Sequence, residues 1–416
     1  MLLTATLLAV SASEAKHKDA PAPVRASQQP ICTILTGKFG FGPPGEIYLG
    51  ERYSFVSLDF LDEDRVLFTF RVPGLFRRDP NGTADETERH IRALVLHIPD
   101  GAVQSEAMWT VHDYGRYLYM LDGGQFALRD RDTLSLGDAS LKIKPWLHFP
   151  GPLVWVELDP TGQFLVTSSH EASSEPQKTG DVASLPTAQV DATTGNVSLR
   201  QDAGSKSDLM LRILRRSSGQ VMLVSRVHSL VHIPLNGEGY LEPLRSRGTE
   251  WLLNLDDFTG GSRHVGVIES SCIPGLDFLS AREFVASVCS KSDERGIVAM
   301  ASDGRHLWHF IDSDTSVWPV MIPSQNGLRL ARETLRANHA VNAHAALDAE
   351  DIERQEVAVF DAASGKIVLH ALASPVYDAG GNVALSPSGR RVAIIMEGAV
   401  QIFELPEAPE LPAAKP

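Results

Sequence analysis

A nine-residue pattern recurs along this chain of 416 residues. It reads FLDEDRVLF at 60–68, VHDYGRYLY at 111–119, LDPTGQFLV at 158–166 and LNGEGYLEP at 235–243. It continues as FLSAREFVA at 278–286, LARETLRAN at 330–338 and LSPSGRRVA at 385–393. Each segment opens on an apolar residue, passes through a polar turn and mostly returns to apolar residues. Gly115, Gly162, Gly239 and Gly389 hold the fifth place, where a tight hairpin favours a residue that tolerates positive φ. The units lie about 50 residues apart, except for one interval of about 77. A period near 50 with strand–turn–strand units is the signature of a repeat array.

A second strand–turn–strand segment follows most units: LVLHIPDGAV (94–103), FALRDRDTLS (126–135), LRILRRSSGQV (211–221), WLLNLDDFTGGS (251–262), VAMASDGRHLW (298–308) and VAVFDAASGKIV (357–368). Two hairpins per repeat make one four-stranded antiparallel blade, so the chain is expected to be an all-β, seven-bladed β-propeller. Val357 and Val359, alternating with Ala358 and Phe360, suit a strand packed on both faces. The seventh unit supplies only three strands and ends with AVQIFEL at 399–405. Residues 31–52 are therefore expected to pair beside Ala399–Leu405 and close the ring, since an open blade edge invites aggregation. The long interval contains a polar stretch at about 170–207, read as a loop insert that adds little to the core.

LDPTGQFLV, LSPSGRRVA and VFDAASGKIV resemble the repeats of bacterial WD-repeat-like and YVTN-type seven-bladed propellers. The Trp-Asp dipeptide of true WD repeats is absent. The resemblance covers about 31–405 and implies a rigid platform, often for protein binding, sometimes for small ligands or catalysis.

Charge and end segments narrow the setting. Lys and Arg total 38 against 52 Asp and Glu, a net charge of −14. That argues against nucleic-acid backbones and anionic membrane surfaces, which need basic patches. No apolar run approaches the ~18 residues of a transmembrane segment. MLLTATLLAVSASEA (1–15) reads as a signal peptide, although no basic residue precedes its apolar run. Residues 16–30 read as a flexible linker and 406–416 as a Pro-rich tail. A periplasmic or secreted monomer is expected.

Chemical motifs are few. Gly40-Phe41-Gly42-Pro43-Pro44-Gly45 matches G-x-G-x-x-G, but two prolines remove amides that a pyrophosphate would need, so it reads as a turn. Asp361-Ala362-Ala363-Ser364-Gly365-Lys366 resembles a quinoprotein blade turn, as does Asp303-Gly304 followed by Leu307-Trp308. Both also read as plain β-turns with an Asp cap and a glycine, the simpler reading. G-x-S-x-G and C-x-x-C are absent, and His170-Glu171 lacks the second histidine of H-E-x-x-H. His339, His344, Asp348, Glu350 and Asp351 share a polar insert that reads as a solvated loop rather than a metal site. Asn326, Asn382 and Glu157 are the strand-proximal candidates for a channel calcium ion, with no pattern to select them. The arginines of 212–216 read as one solvent face of a strand.

Cysteine placement is more specific. The turn of FLSAREFVA centres near Ala281, so antiparallel pairing sets Cys272 opposite position 290, one step from Cys289. That register brings the two within bridging reach, with Pro274 bending the chain to absorb the offset. Two outcomes stand open: a Cys272–Cys289 disulfide, or small buried thiols alongside a free Cys32.

The expected function is a non-enzymatic platform for a protein or peptide partner, with no catalytic residues and no cofactor. The alternative is a propeller hydrolase or lactonase with a divalent ion, such as calcium, in the channel.

Overall fold

The computed structural model describes residues 29–42, 47–48, 56–78, 87–112, 115–171, 187–190, 197–200, 209–227, 232–290, 294–341, 347–377 and 380–408. The expected signal segment, nearly all of the linker and residues 409–416 lie outside them.

Seven antiparallel blades form the ring. Blade 1 pairs Val56–Phe60, Arg65–Arg78, Thr87–His97 and Val103–Val111 in that order. Blade 2 uses Leu118–Met120, Phe126–Asp130, Thr133–Gly137 and Lys144–His148, and blade 3 uses Leu153–Leu158, Phe164–His170, Leu209–Arg215 and Val221–Val227. Blade 4 has Gly239–Arg247, Glu250–Asp257 and Ser262–Glu269, its inner position marked by a single bridge between Leu235 and Tyr240. Blade 5 comprises Gly275–Phe278, Glu283–Cys289, Arg295–Ala301 and His306–Ile311, and blade 6 Ser316–Pro323, Arg329–Ala337, Ile352–Asp361 and Ile367–Ala373. Blade 7 takes Val383–Leu385, Arg391–Met396 and Ala399–Glu404, then Cys32–Leu35 as its outer strand. Cys32 pairs with Ile402 and Leu35 with Ala399, so the expected N-terminal closure is present.

Period-two patterning explains the stacking. Along Phe164–His170, Leu165 packs toward blade 2 while Phe164 and Val166 pack toward blade 4. Along Glu283–Cys289, Phe284 and Ala286 face blade 4 and Val285 faces blade 6. Successive side chains of a strand point to opposite faces, so each blade needs apolar residues at both parities. Every junction between neighbouring blades holds its own apolar cluster.

Turn positions were legible in five units and misplaced in two. The segment 111–119 is not a hairpin: it joins the last strand of blade 1 to the first strand of blade 2. The blade 2 turn lies at Asp122–Gly124, closed by Leu121 N–H on Gln125 O at 2.9 Å. FALRDRDTLS then connects the second and third strands of that blade rather than the third and fourth. A link between blades is also apolar, polar and apolar, and pattern alone does not separate it from a turn. The segment 330–338 lies almost wholly within Arg329–Ala337, where Arg332 and Glu333 are buried ionisable residues of a strand rather than turn residues. Its true turn is PSQNGLRLA at 323–331, with Gly327 at φ 72° in the fifth place. Gly239 fills the same place for another reason: its φ is not positive, and a Cβ there would stand 2.1 Å from Asp256 O.

The polar stretch at 170–207 contains a short hairpin, Thr187–Val190 with Val197–Arg200. Its first strand runs parallel to the blade 3 outer strand, with Thr187 beside Arg226 and Ala188 beside Val227. A second parallel pair, Ile47–Tyr48 with Val376–Tyr377, ties the N-terminal region to the start of blade 7.

Strand alternation sorts the connections onto two faces. Turns between first and second strands, and between third and fourth, open on one face. Links between blades, and between second and third strands, open on the other, here called the linking face. The hairpin of Thr187–Val190 with Val197–Arg200, residues 338–341 and 347–351 of blade 6, and Cys272 all lie there.

Candidate functional site

The first strands of blades 1, 3 and 5 each carry an acidic residue just before the hairpin. Asp59, Glu157 and Asp277 occupy equivalent places, facing Leu67, Val166 and Val285 in their blades. His232 precedes the inner bridge of blade 4 and joins three blades. Its Nδ1 lies 2.9 Å from Glu157 Oε1, its Nε2 2.6 Å from Leu276 O and 3.5 Å from Asp277 Oδ1. Both ring nitrogens face acceptors, so the ring is held as the imidazolium. Burial alone would lower its pKa, but the charge and hydrogen bond of Glu157, the charge of Asp277 and the Leu276 carbonyl push it up to about 10. A histidine so occupied has no free nitrogen for a metal and no lone pair for base catalysis.

The folded value stands above the ordinary 6.5, so this stabilisation is complete below about pH 6.5 and lost as pH rises through about 10. Thermal melts of wild type and His232→Gln test it. The wild type should melt higher at pH 7, with the gap closing toward pH 10; a constant gap would show that His232 does not titrate in that window.

Across the ring, burial pushes Asp59 up to about 6 and Glu333 up to about 8, while the Arg116 charge opposes both shifts. Asp59 accepts a hydrogen bond from Ser57 Oγ at 2.6 Å. Glu333 is 1% exposed, neither carboxylate oxygen has a hydrogen-bond partner among the described residues, and a Cβ on Gly380 would stand 2.7 Å from its Oε2. A buried carboxyl in such a setting stays protonated at neutral pH.

The remaining candidates have structural duties. Gly40 ends a short 3-10 helix, Thr36–Phe39, at φ 81°, and Phe41 is buried in the core; Pro43, Pro44 and Gly45 of that motif lie outside the described residues. Asp361 caps its turn through Ser364 N–H (3.0 Å) and Ser364 Oγ (2.6 Å), and also pairs with Arg329. Asp303 receives the Arg305 amide at 3.1 Å, while Trp308 stacks on Phe360 of blade 6 and donates to Ala362 O at 2.6 Å. His339 lies 2.7 Å from Asn338 Oδ1 and 4.0 Å from Asp351, while Asp348 and Asp351 form a capping box on Ala349–Asp351. His344 lies outside the described residues. Asn326 donates to Ser388 O at 2.8 Å, bridging blades 6 and 7, and Asn382 is sealed in a network with Gln355. The arginines of 212–216 are not one solvent face: Arg212 pairs with Glu171, Arg215 lies over the Phe164 ring and Arg216 pairs with Asp122. Among the described residues, no three His, Cys, Asp or Glu side chains gather as a metal site.

Cys272 and Cys289 are joined, with Cα atoms 5.5 Å apart. The register is the expected one, Gly275 facing Ser287 and Phe278 facing Phe284. Cys32 is free and buried, its Sγ 2.6 Å from Pro99 O. Alkylation under denaturing conditions without reductant should therefore modify a single thiol per chain by intact mass; three modified thiols would remove the bridge.

The disulfide forms part of the wall of a cleft of about 200 Å³ between blades 5 and 6 on the linking face. Ile273, Val288, Val317, Pro319, Val341 and Leu347 make it largely apolar. Ile273 is 54% exposed at its side. Two guanidinium groups adjoin it. Arg332 is neutralised by Asp312 at 2.6 Å, whereas Arg295 donates to Cys289 Sγ at 2.8 Å and has no carboxylate partner among the described residues.

Sequence reasoning named Glu157 but missed His232, Asp59, Asp277, Glu333 and Arg295. One signal was present: an acid immediately precedes the apolar residue that opens three of the hairpins, Asp59, Glu157 and Asp277. Arg295 carried none, because its place opposite Cys289 depends on the second-to-third strand register.

Strand order, ring closure and the layered interblade core define a seven-bladed β-propeller. No family model and no curated protein matches the sequence. Among solved structures, the chain is similar to Pyrococcus horikoshii acylaminoacyl peptidase, at 9% identity and TM-score 0.45, covering 85% of this chain and 53% of that one. It is also similar to the WD40 domain of Toxoplasma gondii coronin, at 9% identity and TM-score 0.44, covering 92% of this chain and 85% of that one. This chain spans about half the length of the peptidase it resembles. Likeness at this level carries nothing about activity.

Proposed function

We propose that the protein is a non-enzymatic platform that binds a protein or peptide partner through its linking face. The observation that supports this reading is the apolar cleft between blades 5 and 6, with Ile273 exposed beside it. An exposed apolar recess on a rigid ring is a docking feature, and rigid scaffolds carry binding residues on their connections. The histidine at the channel is engaged on both nitrogens and is not set up as a general base. The reading needs no cofactor, and it includes export: a disulfide persists in an oxidising compartment. The same proposal makes the protein a monomer.

Selection from a displayed peptide library tests it. Peptides that bind wild type and lose binding to Gly275→Leu support the reading. Gly275 adjoins the cleft, its φ is not positive, and a Cβ there meets only Ser287 Cβ at 3.7 Å, so a leucine plugs the recess without backbone strain. Turnover of lactone or ester substrates together with a stoichiometric calcium or zinc ion in the purified protein would replace this reading with the hydrolase one.

A further inference from the structure

We infer that the blade 5–6 cleft captures the C-terminal residue of its peptide partner, with the apolar side chain in the recess and the α-carboxylate on Arg295. This inference rests on the platform reading and names its ligand. A cleft of about 200 Å³ has room for one large side chain of the partner. Its walls are largely aliphatic, so that side chain is apolar.

Charge selects the group that follows. Arg332 is 3% exposed, donates to Ser316 Oγ at 2.8 Å and has its charge compensated by Asp312. Arg295 is half-buried, and among the described residues no carboxylate pairs with it, in a protein of net charge −14. A guanidinium group presents paired donors that match a carboxylate in the plane. Its contact with Cys289 Sγ fixes the group beside the disulfide, so it is positioned before the ligand arrives. Because the disulfide ties the chain before the first strand of blade 5 to the end of its second, that wall is rigid as well. Capture of a terminal carboxylate beside an apolar pocket is an established mode of peptide recognition.

The test uses the full chain and a tagged heptapeptide series that varies only in its last residue, each as free acid and as amide. Free acids ending in Leu, Phe or Val should bind, and their amides should bind at least about tenfold more weakly. Arg295→Met, which keeps the apolar stem and removes the charge, should erase the acid–amide difference, and Arg295→Lys should restore part of it. Gly275→Leu should abolish binding of acid and amide alike. Equal binding of acid and amide to wild type would overturn the carboxylate assignment. If that binding is still lost in Gly275→Leu, the platform reading survives alone. Displacement of the peptide by a free fatty acid that binds more tightly would also overturn the peptide assignment. Circular dichroism melts of each variant confirm that it is folded.

Discussion

A chain lacking residues 1–52 is expected to aggregate and to melt far below the full-length protein. Deletion removes Cys32–Leu35 and bares the outer edge of Ala399–Glu404, whose ladder runs from Cys32–Ile402 to Leu35–Ala399. It also removes Ile31 N–H on Ile402 O and both Thr36 contacts with Gly398 O. Packing is lost with it. Ile34 is 2% exposed, and Phe41 packs edge-on against Phe68 and Phe70 of blade 1 at 5.4 and 5.3 Å. The segment therefore joins blades 7 and 1 as well as finishing blade 7. An open edge beside exposed aromatic residues is a template for self-association. Size-exclusion chromatography and a thermal melt decide the matter, and a monomeric truncation with unchanged melting would remove the closure argument. Ile34→Ala offers a milder version, with an expected loss of about 2–5 kcal/mol.

Arg329→Met is expected to cost about 3–5 kcal/mol, among the largest effects of any single substitution in the ring. Arg329 is 1% exposed and bonded to Asp361, with Nη2 donating to Pro406 O at 2.6 Å. Methionine fills the volume of the stem but leaves the Asp361 carboxylate buried without its counter-charge. It also releases Pro406, where the chain leaves blade 7. Adding Asp361→Asn should recover part of the loss, because the unpaired charge is gone while the turn cap is partly kept. Urea unfolding of the two variants reads the difference. A single substitution costing under about 1 kcal/mol would mean that water reaches this pair, as it does exposed ones.

What could be read from the sequence followed the physics of short-range pattern. Strand alternation and turn glycines are local, so the blades at 60–68, 158–166, 278–286 and 385–393 were legible residue by residue. So was the disulfide, because a single hairpin register sets the distance between Cys272 and Cys289. Blade 6 was misread because charge usually marks the surface, and there Arg332, Glu333 and Glu356 are buried inside strands. The channel was illegible for a further reason. His232, Glu157 and Asp277 belong to three blades, and only the curvature of the ring brings them within reach. No spacing in the chain encodes that convergence. The blade 5–6 cleft is similar: Arg295 and Leu347 meet through blade stacking, not through a motif.

Ring closure also has a consequence for the order of events in folding. Thr36 bonds to Gly398 across a separation of 362 residues, so this junction has very high contact order. The closing strand leaves the ribosome early and must wait for the end of the seventh blade before it can pair. Until then the rest of the ring can form as a growing arc, each blade stacking on the one before, with local contacts throughout. The final step is a single long-range docking, and its cost rises only slowly with loop length. In a dilute solution the strand finds its own chain. In a concentrated one it meets the equivalent edge of another copy at comparable frequency, and the two can exchange their N-terminal strands as a domain-swapped dimer. Refolding yield of monomer should therefore fall as protein concentration rises, while the blades themselves assemble at an unchanged rate.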